Sequence, residues 1–164
     1  MRLHFLALAA LAAVAACGGP ASDDPNVRMV AASDPAMLAA IDSARATIGE
    51  LLSRIASPPA TQTHLSVKVP LREGDDVEHM WLDSPRYDGR LLHGTLDNQP
   101  VVVHNVRPGD AVSVAPNEIS DWMAIDAGRL CGGYTIRAMQ DRLTAEQRAQ
   151  FESSLGIVSL NSPC

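Results

Sequence analysis

His64-Leu65-Ser66-Val67-Lys68-Val69 sets Leu65, Val67 and Val69 against His64, Ser66 and Lys68, one kind of residue on each side of an extended chain. A short way on, Val77, His79 and Trp81 alternate with Glu78, Met80 and Leu82. A period of two marks strands, and an apolar side opposite a polar side marks a sheet with a core on one face. The same rhythm, with frequent turn residues, runs from Thr61 to Met139 and predicts an antiparallel sheet. Leu91 to Leu96 is a strand that stops at Asp97-Asn98, and Val101–Val103 is a short extended piece. Val112 and Val114 open a strand that Pro116-Asn117 interrupts. Trp122 to Ile125 is set to pair with Arg129 to Cys131 across Ala127-Gly128. Gly132-Gly133 permits a bend or bulge before a last extended piece, Tyr134 to Met139. The acidic run Glu73, Asp75, Asp76 and Glu78 around Gly74 lacks the spacing of a calcium loop and reads as a solvated hairpin turn.

Before the sheet the period changes. Asp34 can cap a helix and Pro35 suits its first position. Met37, Ile41, Ala44, Ile48, Leu51 and Ile55 then fall on one helical face until Pro58-Pro59 ends it. After the sheet, Thr144 with Gln147 forms a capping box that opens a short helix to about Leu155, stopped by Gly156. The expected fold is therefore α+β: a long N-terminal helix packed on a strongly curved antiparallel sheet of five or six short strands, with a short C-terminal helix. Short strands with glycines at their bends are expected to curl into a partly open barrel.

Met1-Arg2-Leu3-His4 is a positively charged start, Phe5–Ala16 is unbroken apolar sequence, and Val14-Ala15-Ala16 leads into Cys17. The run is shorter than the roughly 20 residues a membrane span needs and has the anatomy of a secretory signal. Cys17 after small residues resembles the lipobox of bacterial lipoproteins. That resemblance implies cleavage before Cys17, a diacylglycerol on its thiol and anchorage in a membrane. Gly18, rather than aspartate, implies the periplasmic face of the outer membrane if the source is Gram-negative. The expected organisation is a signal peptide over residues 1–16, a flexible tether over 17–32 rich in Gly, Pro, Ser and Asp, and a single globular domain over 33–164. With Cys17 consumed by lipid, Cys131 and Cys164 remain as an even pair in an oxidising compartment and are expected to form a disulfide.

The chain carries 13 Lys and Arg against 19 Asp and Glu, for a net charge of −6, and Lys68 is its only lysine. With no basic patch, nucleic-acid binding and electrostatic docking to anionic lipid are excluded. No nucleophile elbow, His-Glu-x-x-His, Walker loop, dinucleotide fingerprint or Cys-x-x-Cys is present. His64, His93 and His104 have no ligand-like spacing, so neither a metal nor another cofactor is expected.

Two strings bring acid, tryptophan and methionine together: Glu78-His79-Met80-Trp81 and Ser120-Asp121-Trp122-Met123. Taken in order with Val67-Lys68-Val69-Pro70, Gly94-x-Leu96-x-Asn98-x-Pro100, Gly109-Asp110-x-Val112 and Gly132-Gly133-Tyr134-Thr135-Ile136-Arg137, they form a series. This series, over about Leu65 to Arg137, resembles a bacterial family catalogued as domain of unknown function 2314, or YegJ-like. The resemblance implies a small bacterial protein, in some members a lipoprotein, and carries no activity or catalytic residue with it.

From the residues alone, Glu78, His79 and Asp121 are the candidates for acid–base chemistry, as a carboxylate pair or a carboxylate–histidine set. Each also has a structural reading: a hydrogen-bonded core histidine for His79, a turn cap or amide acceptor for Asp121. Trp81, Trp122 and Arg137 are the binding candidates, with core anchorage and an ion pair as their structural readings. The leading expectation is a non-catalytic binding or accessory domain, tethered to the membrane, that offers a groove or edge strand to an envelope protein. The alternative is a hydrolase using His79 with Glu78 or Asp121, and a toxin-immunity or stress role is a third. Oligomeric state is not legible in the residues.

Overall fold

A computed structural model describes residues 34–162 and Cys164. The signal peptide and tether expected over residues 1–32 lie outside the described residues, as does the lipidation expected at Cys17.

Six strands form one antiparallel sheet: β1 (Gln62–Glu73), β2 (Asp76–Tyr87), β3 (Leu92–Leu96), β4 (Ala111–Val114), β5 (Asp121–Asp126) and β6 (Arg129–Gly132), in the order β4-β3-β2-β1-β5-β6. The hairpin of β1 and β2 is the spine, registered from Ser66↔Asp83 to Glu73↔Asp76, with the acidic run at its tip. Strand β5 pairs with the other side of β1, placing Leu65 opposite Ala124 and Val67 opposite Trp122.

Partner residues share a face, so the register sorts the core. One face carries Val67, Val69, Leu71, Met80, Leu82, Leu92, Leu96, Trp122, Ala124 and Cys131, packed around the helical residues Ala44 and Leu51. The other carries Met123, Ile125 and Leu130, joined by Ile157 and Leu160 and packed against Trp81, Ile136, Phe151 and Leu155. At Gly94 the strands come so close that an added Cβ would lie 2.8 Å from the Leu82 Cβ.

The α+β class, the six antiparallel strands and the capped C-terminal helix match the sequence expectation, and three features correct it. First, the sheet is open and is not strongly curved, with β4 and β6 as separate edges. Its two central strands have 12 residues each. Helical and C-terminal segments cover both faces, so burial does not require closure into a barrel.

Second, the N-terminal helix is two helices, α1 (Pro35–Ala46) and α2 (Ile48–Ala56). The break is at Thr47, whose hydroxyl lies 3.0 Å from the Ser43 carbonyl and 3.2 Å from that of Ala44 and accepts the Trp122 indole N–H at 3.0 Å. A side chain bonded back to the preceding turn competes with the helix and bends it.

Third, Tyr134–Met139 is not a strand but a short helix, α3. Gly132 and Gly133 both take positive φ, so they end β6 and turn the chain into α3. The last helix, α4 (Ala145–Leu155), has the reciprocal Thr144–Gln147 capping box and ends at a left-handed Gly156. A single 3₁₀ turn precedes β5, and another joins α3 to α4.

Candidate functional site

Glu78 and His79 are neighbours on β2 and therefore point to opposite faces of the sheet. The Glu78 carboxylate accepts the backbone N–H groups of Val101, Val102 and Val103 at 2.8–3.2 Å. It pins the loop after β3, whose Val103 closes the core. Val101–Val103 has no strand pairing because these amides are satisfied by Glu78 instead.

His79 lies at the exposed end of the other face, its Nδ1 2.5 Å from the Ser120 hydroxyl. Burial of the ring, then the positive charges of Lys68, Arg72 and Arg45, hold its pKa below the ordinary value. This is not the core histidine of the sequence reading. Beyond Val77 and His79 the helical cover of this face has ended, which leaves Val77 exposed as well.

Asp121 is fully buried. Its Oδ1 accepts from the amides of Trp122 (2.8 Å) and Tyr134 (3.1 Å), and its Oδ2 from the amide and hydroxyl of Thr135 (2.7 and 2.6 Å). Burial pushes the carboxyl pKa up against these hydrogen bonds. The group holds the start of α3, satisfying amides that a helix N-terminus leaves without partners. Both carboxylates are thus occupied by backbone amides, and they do not converge on His79 as an acid–base set.

Trp122 is wholly internal, edge-on to Tyr134 at 6.4 Å between ring centroids. Arg137 donates to the carbonyls of Leu160, Gly132 and Leu130, tying α3 and the C-terminal segment to β6. Trp122 offers no free surface, and Arg137, though half-buried, spends its guanidinium on these carbonyls. Trp81 is likewise half-buried, on the second face, and lines an open groove.

Around Trp81 the structure opens a groove of about 580 Å³ between the second face of the sheet and the α3–α4 segment. Its floor is polar: His64, Ser66 and Lys68 from β1, Asp83 from β2, and Asp97 just beyond β3. Its wall is mostly apolar, with Met123 of β5, Ile136 and Met139 of α3, and Phe151 and Leu155 of α4.

The Lys68 ammonium sits 5.5 Å above the centre of the Trp81 ring, within reach of a cation–π attraction. Burial pushes the lysine pKa down, and the charge of Asp121 behind it only partly opposes this. At the other end of the floor, Ser66 Oγ donates to Asp83 Oδ1 at 2.8 Å and lies 2.5 Å from His64 Nε2. Serine therefore stands between histidine and aspartate, with its proton already held by the carboxylate. A nucleophilic triad needs histidine in the middle, so this set does not activate Ser66. Asp97 has its pKa raised, first by burial and then by the charge of Asp83.

Sequence reading set His64 aside for want of ligand-like spacing, noted Lys68 only as the sole lysine and part of a motif, and did not single out Ser66, Asp83 or Asp97. Their signal was present: the polar side of β1 is what an outward face would show, yet β1 is a central strand and Lys68 is the only lysine.

The sulfur atoms of Cys131 and Cys164 are placed as a disulfide, with Cα atoms 5.0 Å apart. With Asp126 they form a group of three possible metal-ligand atoms within 4.8 Å of one another. Arg54 donates to both Asp126 Oδ2 and Cys131 Sγ at 3.2 Å. A cation there would meet a guanidinium, and the paired sulfurs are not thiolates, so the residues do not fit a metal site.

An open antiparallel sheet clad on both faces, with a groove between sheet and helices, defines an α+β scaffold of two helical layers. By sequence the chain belongs to a family described as an uncharacterised protein conserved in bacteria, DUF2314, whose model matches residues 34–158. That match extends beyond the Leu65–Arg137 motifs and takes in the helices on both sides.

Two relatives give the range of similarity. A protein of Neisseria meningitidis serogroup B, whose name assigns it ankyrin repeats, is 40% identical over 95 residues. This is 56% of this chain and 38% of that protein. The uncharacterised protein YegJ of Escherichia coli K12 is 30% identical over 90 residues, 55% of this chain and 59% of YegJ. The matched region thus spans less than two thirds of either relative. No solved structure matches.

Proposed function

We propose that this chain is a non-catalytic binding domain. It takes a small amphipathic ligand, free or displayed by an envelope protein, into the groove beside Trp81. Lipid on Cys17 holds it at the periplasmic face of the outer membrane. The observation that carries the binding reading is the groove itself. Its volume of about 580 Å³ lies in the range of small-molecule sites, and it sets a polar floor against an apolar wall. The hydrolase reading loses support because Glu78 and Asp121 are committed to backbone amides.

The binding test is a photo-crosslinking residue at Gln150, which lines the groove, introduced in the full chain within cells. A discrete adduct, identified by mass spectrometry and lost on Trp81→Ala with the circular dichroism spectrum unchanged, is the expected result. No adduct, or one indifferent to Trp81→Ala, would overturn the reading. The tether is tested separately by Cys17→Ser, which should release the chain from the membrane fraction. Retention there would refute lipid anchorage.

A further inference from the structure

We infer that Lys68 is a carbonyl-capturing amine, forming an imine with an aldehyde or ketone that enters the groove on an apolar body. The inference rests on the groove reading and adds a reaction to it. Four observations place the chemistry.

Lys68 is the only lysine in the chain, and it stands in the floor of the groove rather than on the open surface. A lysine held for structure finds a carboxylate or carbonyl. Among the described residues, the Lys68 ammonium has no carboxylate within ion-pair distance. Asp121, its partner in register on β5, has both oxygens occupied by other donors. What the lysine does have is the Trp81 ring beneath it.

Burial without an ion-pair partner favours the neutral amine, which is the nucleophilic form, and the lowered pKa agrees. The same floor supplies an acid. Asp83 is two positions along β2 from Trp81, roughly 7 Å at strand spacing, and Asp97 is tied to that strand by its amide, which donates to the Trp81 carbonyl at 3.2 Å. Partial desolvation and the neighbouring Asp83 raise the Asp97 pKa, so this carboxyl, though exposed, keeps a proton more readily than an isolated one. An amine shifted down and an acid shifted up in one groove are the pair that imine formation requires.

The steps balance. The Lys68 nitrogen bonds to the carbonyl carbon, and its proton passes to the oxygen to give a carbinolamine. The carbon–oxygen bond then breaks, and the hydroxyl leaves as water with a proton from Asp97. The nitrogen lone pair closes the double bond, and loss of the remaining N–H proton restores Asp97. One water is released and no oxidant or reductant is consumed. Ile136 and Phe151 on the facing wall provide the surface for the apolar body.

The test uses the full chain with hexanal as probe, sodium cyanoborohydride to trap the imine, and peptide mapping to separate Lys68 from the N-terminal amine. At pH 7 Lys68 should be alkylated severalfold faster than N-α-acetyl-lysine, because more of it is the neutral amine. Lys68→Arg should abolish the modified peptide. Asp97→Asn should slow trapping and flatten its pH profile. A Lys68 rate equal to or below that of the free amino acid would overturn the inference while leaving ligand binding in the groove untouched. Equal selectivity for hexanal and formaldehyde, unchanged by Phe151→Ser, would instead remove the apolar body and count against the groove itself.

Discussion

Replacing Asp121 by asparagine separates a structural carboxylate from a catalytic one, and its magnitude follows from the four hydrogen bonds. If the amide oxygen keeps the place of Oδ1, it still accepts from Trp122 and Tyr134. The new NH₂ then faces the amide and hydroxyl of Thr135, where Oδ2 accepted at 2.7 and 2.6 Å. The hydroxyl can turn and accept, whereas the backbone N–H cannot. One buried donor is orphaned, which costs about 1–3 kcal/mol, and the two surviving bonds lose their charge assistance at about 1 kcal/mol each. Against this, the buried charge is gone, and the raised pKa shows that its burial was opposed. A net loss of about 2–4 kcal/mol is expected, a large share of a typical domain stability of 5–15 kcal/mol. With an urea slope near 2 kcal/mol/M, the midpoint should fall by about 1–2 M without a change in slope. Urea unfolding followed by circular dichroism measures it. Thr135→Val is the internal control and should cost about 1 kcal/mol, since only the hydroxyl bond is lost. A loss below about 1 kcal/mol for Asp121→Asn would refute the claim that this carboxylate holds the start of α3.

Gly132→Ala should be more damaging, because the position has φ +65° and an added Cβ would run into the Trp122 carbonyl oxygen, which accepts the Gly133 amide at 2.7 Å. A loss of about 3 kcal/mol or more is expected, and a melting temperature like that of the parent chain would refute it. Intact mass under non-reducing conditions should show Cys131 and Cys164 oxidised, and two free thiols would refute the pairing. The bridge closes a separation of 33 residues, so Cys164→Ser should cost at most about 3–4 kcal/mol by loop entropy. His79 should titrate below its ordinary 6.5 in NMR spectra, because burial and three positive side chains oppose its protonation. The unfolded chain then binds this proton first, so the contribution is whole above pH 6.5 and stability falls as pH drops below it. His79→Gln should flatten that slope, and a midpoint above 6.5 would refute the account.

What could be read in the chain and what could not divides by the range of the interaction. The Met37–Ile55 stripe, the Thr144–Gln147 box and the Ala127-Gly128 turn are decided within a few residues, and each stands where local chemistry puts it. The break at Thr47 is not local, since it is shared with the Trp122 indole 75 residues away. Nor is the helix over Tyr134–Met139, whose first amides are taken by Asp121 from 13 and 14 residues upstream. Barrel closure was expected from short strands, and it fails because β1 and β2 run on together for 12 residues each and a second layer arrives from beyond residue 134. The candidate site was lost for the same reason. His64, Ser66 and Lys68 alternate with a buried row and so read as a wetted face, the correct inference for an isolated hairpin. Once β5 pairs on the far side of β1 and α4 lays Phe151 and Leu155 across that face, the row becomes an interior floor. A polar row on a central strand covered by a later helix is desolvated without being filled. There a lone lysine acquires a lowered pKa, and beside the row, past the end of β3, Asp97 has a raised one. The chemistry of this chain is therefore to be sought on the side of β1 that its hydrophobic pattern leaves out.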